Sequence, residues 1–381
     1  MLAEKVEIDG INYDLNAETK QASVVHKSSG GNSGDIVIPE SVDYKGTTYS
    51  VTSIGKDAFY NCSGLTSVTI PNSVKTIEKQ AFYICKGLTS INIPNSVTSI
   101  GQSAFYSCYR LTSVIIPNSV TSIGGHAFSN CSGLTSVTIP NSVTSIGDFA
   151  FLDCSGLASI VVEDGNLIYD SRNNCNAIIE TATNTLLSGC NATIIPNSVT
   201  SIGRSAFHNC FGLTSVTIPD AVESIDKGTF YGCASLTSVT IPNSVKSIGE
   251  GAFSWCTSLT SLTIGNSVEE IWIHAFSDCP ELHDVYCYAE KVPFTDGSAF
   301  SDSKKGNATL HVPVASVDSY KASAPWSGFG KIVALTEEET GIDELKGENG
   351  TENSAVFDLS GRRVQKGQKG IFILNGKVVV K

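Results

Sequence analysis

The sequence predicts a β-rich right-handed superhelix, or solenoid, of about twelve stacked parallel strands. Two observations carry this prediction. A period of 23 residues runs through most of the 381-residue chain, and apolar side chains alternate with serine and threonine inside each period. Self-similarity at a fixed period of this size is typical of solenoids and repeat arrays. We use the word coil for one such repeat.

Each coil is marked by a phenylalanine, preceded by alanine or once by threonine, and by a cysteine three residues later. The phenylalanines are Phe59, Phe82, Phe105, Phe128, Phe151, Phe207, Phe230, Phe253 and Phe276. The cysteines are Cys62, Cys85, Cys108, Cys131, Cys154, Cys210, Cys233, Cys256 and Cys279. Nine coincident matches exclude chance, and we expect the two sets to form an internal structural ladder.

The coil opens with a leucine and the pattern Leu-x-x-Val-x-Ile-Pro, as in residues 134–140. Its leucine, valine and isoleucine are expected to point inward and the serines and threonines outward, which is the period of a half-buried strand. Proline then ends the strand, and the Val-x-x-Ile-Gly and Ala-Phe-x-x-Cys segments close the coil from the opposite wall. Because each coil leaves two apolar faces bare, neighbouring coils must stack and terminal coils must be capped.

The same pattern sets the expected boundaries. Residues 1–50 hold an N-terminal cap and a first strand, and residues 51–335 hold the solenoid, with a C-terminal cap at 313–335. Phe151 and Phe207 are 56 residues apart rather than two periods of 23, so one coil carries ten extra residues. We expect this insertion, at about 164–189, to be a hairpin that projects from the solenoid.

Composition excludes several function classes. The 37 acidic and 25 basic residues leave a net charge of −12, which disfavours DNA, RNA or an anionic membrane as partner. The sequence contains no 18-residue apolar run that could span a bilayer. Residues 1–5 lack the apolar core of a secretory signal, so an exported protein would have had its signal peptide removed.

The unit resembles the BspA-like branch of leucine-rich repeats, the type associated with a Treponema surface protein. The resemblance covers about residues 35–335 and rests on the three segment patterns above. It implies a leucine-rich-repeat solenoid and a surface-exposed or secreted protein of a host-associated organism, whose relatives bind matrix proteins or promote adhesion. It implies no catalytic residue and no cofactor.

The C-terminal end shows a second resemblance. Residues 336–354 are acidic and poor in apolar residues, as expected of a flexible linker. Residues 355–381, with Asn375-Gly376 between apolar segments, resemble the short β-rich module that closes many exported Bacteroidetes proteins. That resemblance implies sorting or anchoring. The alternative is a loosely docked hairpin with no such role.

We expect the cysteines to be free, buried thiols that act as small apolar side chains. Adjacent ladder cysteines would have parallel Cβ vectors, which suit disulfide closure poorly, and no Cys-x-x-Cys occurs. The six histidines are scattered, and serine recurs everywhere without a distinguishing base. The sequence therefore predicts no catalytic, metal or cofactor residue, and no enzyme.

The most informative surface is the outward row of hydroxyl side chains on the strands. The candidate ligand-contact residues there are Ser67, Thr69, Ser136, Thr138, Ser215, Thr217, Ser238 and Thr240. Tyr106 and Tyr109, on the turns, are added as part of an aromatic stripe that could pack internally or contact a partner. Serine and threonine are also good solvated strand residues, so a purely structural role for the row stays open.

Two classes of function follow. The first is a cell-surface or secreted adhesion protein that binds a matrix protein, another cell surface or a glycan through the repeats. The second is a structural spacer or scaffold. A binder should show one coherent exposed patch, whereas a scaffold should show a uniform surface. The pattern leaves the oligomeric state open, and we expect a monomer.

Overall fold

A computed structural model describes residues 4–27, 31–336 and 339, and the backbone alone of residues 357–358, 371–374 and 377–380. The predicted solenoid of about twelve coils with a period near 23 residues is confirmed. Each regular coil contains a long strand, a turn after the proline, a two-residue short strand, and a corner that carries Ala-Phe-x-x-Cys.

The long strands pair in parallel and form one side of the solenoid, the long-strand face. Neighbours align one repeat apart, so that Val137 lies opposite Ile160 and Leu262 opposite Val285. This register keeps like residues on the same side of the sheet. The long strands are Gly34–Val37, Leu65–Thr69, Ser90–Asn92, Ser113–Ile115, Ser136–Ile139, Ser159–Val162, Ser238–Ile241, Ser261–Ile264, Asp284–Cys287, Thr309–Val312 and Lys331–Ala334.

A second set of parallel strands covers the opposite wall, where the sequence analysis expected only a closing segment. Each is two residues long, and its second residue is in most coils a buried isoleucine such as Ile100 or Ile248. They are Thr76–Ile77, Ser99–Ile100, Ser122–Ile123, Ser145–Ile146, Ser201–Ile202, Ser224–Ile225, Ser247–Ile248, Glu270–Ile271 and Phe294–Thr295.

Both ends of the array are covered by elements that depart from the repeat. At the N-terminus, the strands Glu4–Ile8, Ile11–Asn16, Gln21–Val25, Ser41–Tyr44 and Thr47–Ile54 extend the sheet of short strands. At the C-terminus lie the α-helix Val317–Ala322 and the 3-10 helices Lys305–Asn307, Val314–Ser316 and Trp326–Gly328. The fully buried Trp326 and the buried Phe329 pack against Phe300, at 5.4 and 5.3 Å between ring centroids.

The insertion contains the expected antiparallel hairpin, but the hairpin does not project from the solenoid. The inserted strands are Tyr169–Asp170, Ile178–Glu180 and Thr185–Ser188, with the 3-10 helix Arg172–Asn174 between the first two. They begin the C-terminal sheet of short strands, because Thr185–Ser188 pairs in parallel with Ser201–Ile202. Ile178 packs in the N-terminal part of the core, whereas Ala177 and Ile179 pack in the C-terminal part. Alternating side chains of one strand point to opposite sides, so this strand forms a wall between the two cores.

The core is a column of stacked phenylalanine rings. Successive ladder rings are nearly parallel, with centroids 5.0 to 5.5 Å apart, and the column continues to Phe300. It is interrupted between Phe151 and Phe207, where the insertion coil has no phenylalanine corner. Burial of these rings supplies much of the apolar contact between coils.

Each corner contains two residues in the left-handed backbone region, one two positions before the phenylalanine and one two positions after it. Phe149 (φ 58°) and Ile84 (φ 59°) are examples, and glycine occupies the first position in two coils, as Gly228 and Gly251. The corner thus imposes positive φ on whichever residue the coil has there, and large side chains are accepted.

Of the C-terminal module, three strands are described by their backbone. They are Phe357–Asp358, Ile371–Leu374 and Lys377–Val380, and they form an antiparallel sheet. The last two pair on either side of the predicted Asn375-Gly376 turn, and those two residues lie outside the described part of the chain. Most of the predicted linker, 336–354, also lies outside it.

Candidate functional site

The long-strand face carries one row of side chains that contains no aspartate, glutamate, lysine or arginine, although its member His311 lies 3.2 Å from Oε1 of Glu339 and 3.6 Å from Oδ1 of Asp284. Its members occupy the fourth position after the repeat leucine or its equivalent, and we call them the outer row. They are Val37, Thr69, Asn92, Ile115, Thr138, Val161, Ile194, Thr217, Thr240, Thr263, Tyr286, His311 and Val333. Strand pairing places them side by side over most of the length, as for Thr138 with Val161 and Thr240 with Thr263. At about 4.8 Å per strand, the row extends over roughly 55 Å.

Five aliphatic side chains of the outer row are exposed to solvent. Ile194 is 77% exposed, Ile115 73% and Val37 69%, and Val161 and Val333 are also exposed. The sequence analysis described the row by its serines and threonines and did not include these aliphatic positions among the contact candidates. Isolated exposed apolar residues are ordinary. Val161 and Ile194 belong to consecutive coils and Ile115 lies two coils before Val161, whereas Val37 and Val333 lie at opposite ends of the row. The exposed aliphatic side chains are therefore concentrated in the middle of the solenoid.

The repeated hydroxyls divide into structural and free groups. Ser96, Ser119 and Ser142 each donate a hydrogen bond to a valine carbonyl of the preceding coil, at 2.6 to 2.8 Å. By contrast, Thr138 and Thr240 are exposed, and their hydroxyls make no hydrogen bond within the described residues. The free groups are therefore available to a ligand, whereas the structural ones join the coils.

The structure places most of the predicted contact residues on this face, but not all in strands. Ser67, Thr69, Ser136, Thr138, Ser238 and Thr240 lie in long strands. Ser215 and Thr217 are exposed but belong to no strand, since the face has no described strand between Val162 and Ser238. The interruption follows the insertion coil, so its added residues disturb the regular ladder on this side too.

Asp35 begins the face with a local hydrogen-bond cluster. The hydroxyls of Ser67 and Thr66 donate to Asp35 Oδ1 at 2.6 and 2.8 Å. These bonds, that from Ser67 first, lower the pKa of the Asp35 carboxyl. Ser67 is thus already engaged by the protein.

Tyr106 and Tyr109 are not part of the long-strand face, because they lie in a corner. The rings of Tyr60, Tyr83 and Tyr106 stack face to face, at 5.0 and 4.8 Å between centroids. His126 closes the stack with its edge toward Tyr106 at 6.5 Å. These three tyrosines thus pack against one another, whereas Tyr109 is outside the stack and exposed. A contact of the stripe with a partner stays a prediction.

The corners of the C-terminal half form a different surface, which sequence analysis missed. A cleft of about 400 Å³ opens between the corner at Phe149 and the corner at Arg204, with Ile178 and Leu187 of the insertion among its walls. It exists because the insertion coil contributes no Ala-Phe-x-x-Cys corner. The signal in the sequence was the missing phenylalanine between Phe151 and Phe207.

Polar contacts hold the two sides of this cleft together. Nδ1 of His208 lies 2.6 Å from Oδ1 of Asp153, and the amide of Asn209 donates to the same oxygen at 2.8 Å. The guanidinium of Arg204 lies 5.7 Å from the centre of the Phe149 ring. A histidine and aspartate pair suggests catalysis only with a nucleophile beside it, and no such contact is present among the described residues.

A second cavity, of about 450 Å³, continues from the cleft across the next corners. The two cavities share Arg204, Ser205 and His208. Its other lining residues are Lys227, Gly228, Tyr231, Glu250, Gly251, Ser254, Trp255, His274, Ser277 and Asp278. We call the joined cavities the corner groove.

The ladder cysteines are free and buried, and their thiols have a role beyond filling space. Sγ of Cys85, Cys131 and Cys154 donates to the carbonyl of a ladder phenylalanine one coil back, at 3.0 to 3.1 Å. Burial, as the largest cause, raises the pKa of Cys131 and Cys154 well above the ordinary value. Thiols held protonated in this way are poor nucleophiles and poor metal ligands.

The described residues contain no group of three or more histidine, cysteine, aspartate or glutamate side chains that could hold a metal ion. No helix in this part of the chain is long and apolar enough to cross a membrane.

The BspA type leucine-rich repeat region matches residues 50–178 and 184–307 in six copies. None of the curated proteins compared with the chain matches it.

Solved structures match over nearly the whole solenoid. A leucine-rich cell surface protein from Faecalibacterium prausnitzii is 27% identical with a TM-score of 0.59, and the match covers 87% of this chain and 95% of that one. The pneumococcal vaccine antigen PcpA is 19% identical with a TM-score of 0.64, covering 88% and 99%. A leucine-rich repeat protein from Eubacterium ventriosum is 20% identical with a TM-score of 0.50, covering 77% and 93%. The last two show the fold alone.

Proposed function

Because the chain belongs to the BspA-type leucine-rich repeat family, we propose that it is a cell-surface or secreted adhesion protein that binds a partner through its repeat surface. The 27% identical structure from Faecalibacterium prausnitzii is described as a cell surface protein, which supports an extracellular or surface location. Residues 355–381 are proposed to sort or anchor the protein there.

The outer row is the observation that carries this proposal. In a chain with net charge −12, the thirteen positions of the row hold no aspartate, glutamate, lysine or arginine, and five of them expose aliphatic side chains. A scaffold face in contact only with water has no need to exclude charge from a single row. Depletion of charge with exposed apolar groups is typical of the centre of a protein interface.

The partner that best fits this surface is an extended protein of a matrix or of another cell. The row is long and narrow, and its threonine hydroxyls provide hydrogen-bond donors and acceptors between the aliphatic contacts. A flat polar and apolar strip of this kind suits a ligand that lies along the solenoid.

The proposal is tested by binding of the full chain to an array of purified extracellular-matrix proteins. Saturable binding is expected, and Ile115→Arg or Ile194→Arg should weaken it by about tenfold or more, because each introduces an unpaired charge into the contact. Matched controls are Ser201→Arg and Ser224→Arg, which place the same charge at exposed positions on the short strands.

Two results would contradict the proposal. One is that the folded protein binds none of the arrayed matrix proteins, which would favour the spacer or scaffold alternative. The other is binding that all four arginine variants weaken equally, which would indicate a general charge effect and no contact at the outer row.

A further inference from the structure

We propose that the corner groove binds a short, uncharged oligosaccharide. The groove is built from the corners, whereas the outer row is built from the long strands, so this site goes beyond the adhesion function and can be tested separately from it. Its two parts have volumes of about 400 and 450 Å³ and are open to solvent, so a ligand would lie along the groove with one side exposed.

The groove is open at two corners that lack a large side chain. Tyr60, Tyr83 and Tyr106 each follow a ladder phenylalanine, and in the C-terminal half the same position holds His208 and Tyr231, which stack on each other, and then Ser254 and Ser277. The space that an aromatic ring fills at those other corners is therefore left free beside Ser254 and Ser277.

Gly251 also leaves the groove open. Its φ of 60° is in the left-handed region that glycine adopts without strain, and Phe149 occupies the same repeat position at 58°. A Cβ atom added at Gly251 would meet the Tyr231 ring at 3.8 Å, which is an ordinary van der Waals contact. The absence of a side chain at this position leaves room beside the Tyr231 ring.

Carboxylates outnumber cations along the groove. Its lining holds Asp148, Glu180, Glu250 and Asp278 against Arg204 and Lys227, and Nζ of Lys227 lies 2.6 Å from Oε2 of Glu250. The excess of carboxylates disfavours a polyanion such as a nucleic acid or a sulfated chain. A ligand with many hydroxyls can donate hydrogen bonds to these carboxylates without bringing charge of either sign.

Aromatic surface provides the apolar part of the site. Trp255 is 50% exposed, and the half-buried Tyr231 has one ring face covered by His208 at 4.5 Å. A sugar ring has an apolar face that packs on such side chains, while its hydroxyls bond to carboxylates, imidazoles and serines nearby. The groove offers both kinds of group together.

An extended peptide fits the groove less well. Peptides that bind by strand addition need unpaired backbone groups at a sheet edge. Here Phe230 N donates to Ala252 O at 2.8 Å, and Trp255 N donates to Ser277 O at 3.0 Å, so the corner backbone already joins one coil to the next. A ligand must therefore be recognised by side chains, as sugars are.

The test is calorimetric titration of the full chain with three neutral hexasaccharides, namely maltohexaose, cellohexaose and chitohexaose, and with a heparin-derived hexasaccharide. At least one neutral sugar should bind saturably. Trp255→Ala should weaken it by about tenfold or more by removing the stacking surface, and Gly251→Phe should do so by filling the groove. Ile115→Arg, on the outer row, should leave sugar binding unchanged.

Three outcomes would overturn the proposal: no binding of any neutral hexasaccharide, tighter binding of the sulfated sugar than of every neutral one, or binding that survives both groove variants. Should Gly251→Phe fail to fold, Trp255→Ala decides alone, because its side chain is half exposed and outside the core. Sugar binding that survives Ile115→Arg while matrix-protein binding is lost would separate this site from the outer row.

Discussion

The ladder cysteine combines two properties that few side chains share. It is small and apolar enough for a fully buried position, and it still donates a hydrogen bond to the backbone of the preceding coil. Sγ of Cys233 and Cys256 makes this contact at 3.3 Å in the C-terminal half. The sequence periodicity predicts that the cysteines are internal. It does not predict the hydrogen bond, because a cysteine that only fills space would recur at the same interval as one that also donates.

The buried thiols predict a loss of stability at alkaline pH. Burial raises the pKa of Cys131, Cys154, Cys233 and Cys256 well above the ordinary 9.0, and that of Cys279 to about 12. Above pH 9 the unfolded chain loses these protons before the folded chain does. Their contribution is therefore complete below pH 9 and is lost as pH rises toward the native values, by up to about 1.4 kcal/mol per pH unit for each thiol.

Urea unfolding at about pH 8 and about pH 10.5 measures this loss. Cys131→Ala removes one titrating group, so the variant should lose less free energy of unfolding between the two pH values than the native chain. Because tyrosines and lysines titrate equally in both proteins, the difference isolates the thiol. An identical loss in the two proteins would show that Cys131 does not titrate as inferred.

At the scale of elements, the sequence predicts the long strands well because their alternation is regular, as in residues 134–139. It did not predict the short strands, since two residues such as Ser122–Ile123 are too few to show a period. It found the strands of the insertion but placed them outside the solenoid. Ile178 and Ile179 are both buried, on opposite sides of the strand that contains them. Two adjacent apolar residues are typical of a strand that is covered on both sides, and this was the signal in the sequence for a strand inside the core.

Neighbouring coils approach each other closely just after the short strands, so adding a side chain there should lower the free energy of unfolding. A Cβ atom at Gly124 would lie 2.5 Å from the backbone nitrogen of Gln102, so Gly124→Ala must push two coils apart. Other coils hold Glu78 or Asp226 at this repeat position, so the backbone conformation there does not require glycine. We expect a loss of about 1–3 kcal/mol in the free energy of unfolding, measured by urea denaturation.

Gly297→Ala is the matched control, because a Cβ there would meet nothing within 4 Å and its φ is not positive. It should change stability by less than about 0.5 kcal/mol. Equal effects of the two substitutions would mean that coil spacing at Gly124 is looser than the structure indicates.

At the scale of the whole molecule, one repeat yields two surfaces of different chemistry. The long strands present an uncharged, partly aliphatic row, and the corners present a tyrosine stack in one half and a groove in the other. The row could be predicted in part, because strand alternation shows which side chains face outward. The groove could not be predicted. It depends on which corner is missing, and on small residues such as Gly251 and Ser254 at repeat positions where some other coils have large side chains.

The most direct test of the proposed function uses the burial of every native cysteine. Ser136→Cys places one reactive thiol on the long-strand face, and Ser224→Cys places one on the short strands, both at exposed positions. The rate of modification by a charged thiol reagent is measured with and without the matrix protein that the array selects. We predict that the partner slows modification of Cys at position 136 by about tenfold or more and leaves position 224 unchanged. Equal protection at both positions, or protection at 224 alone, would contradict binding through the outer row.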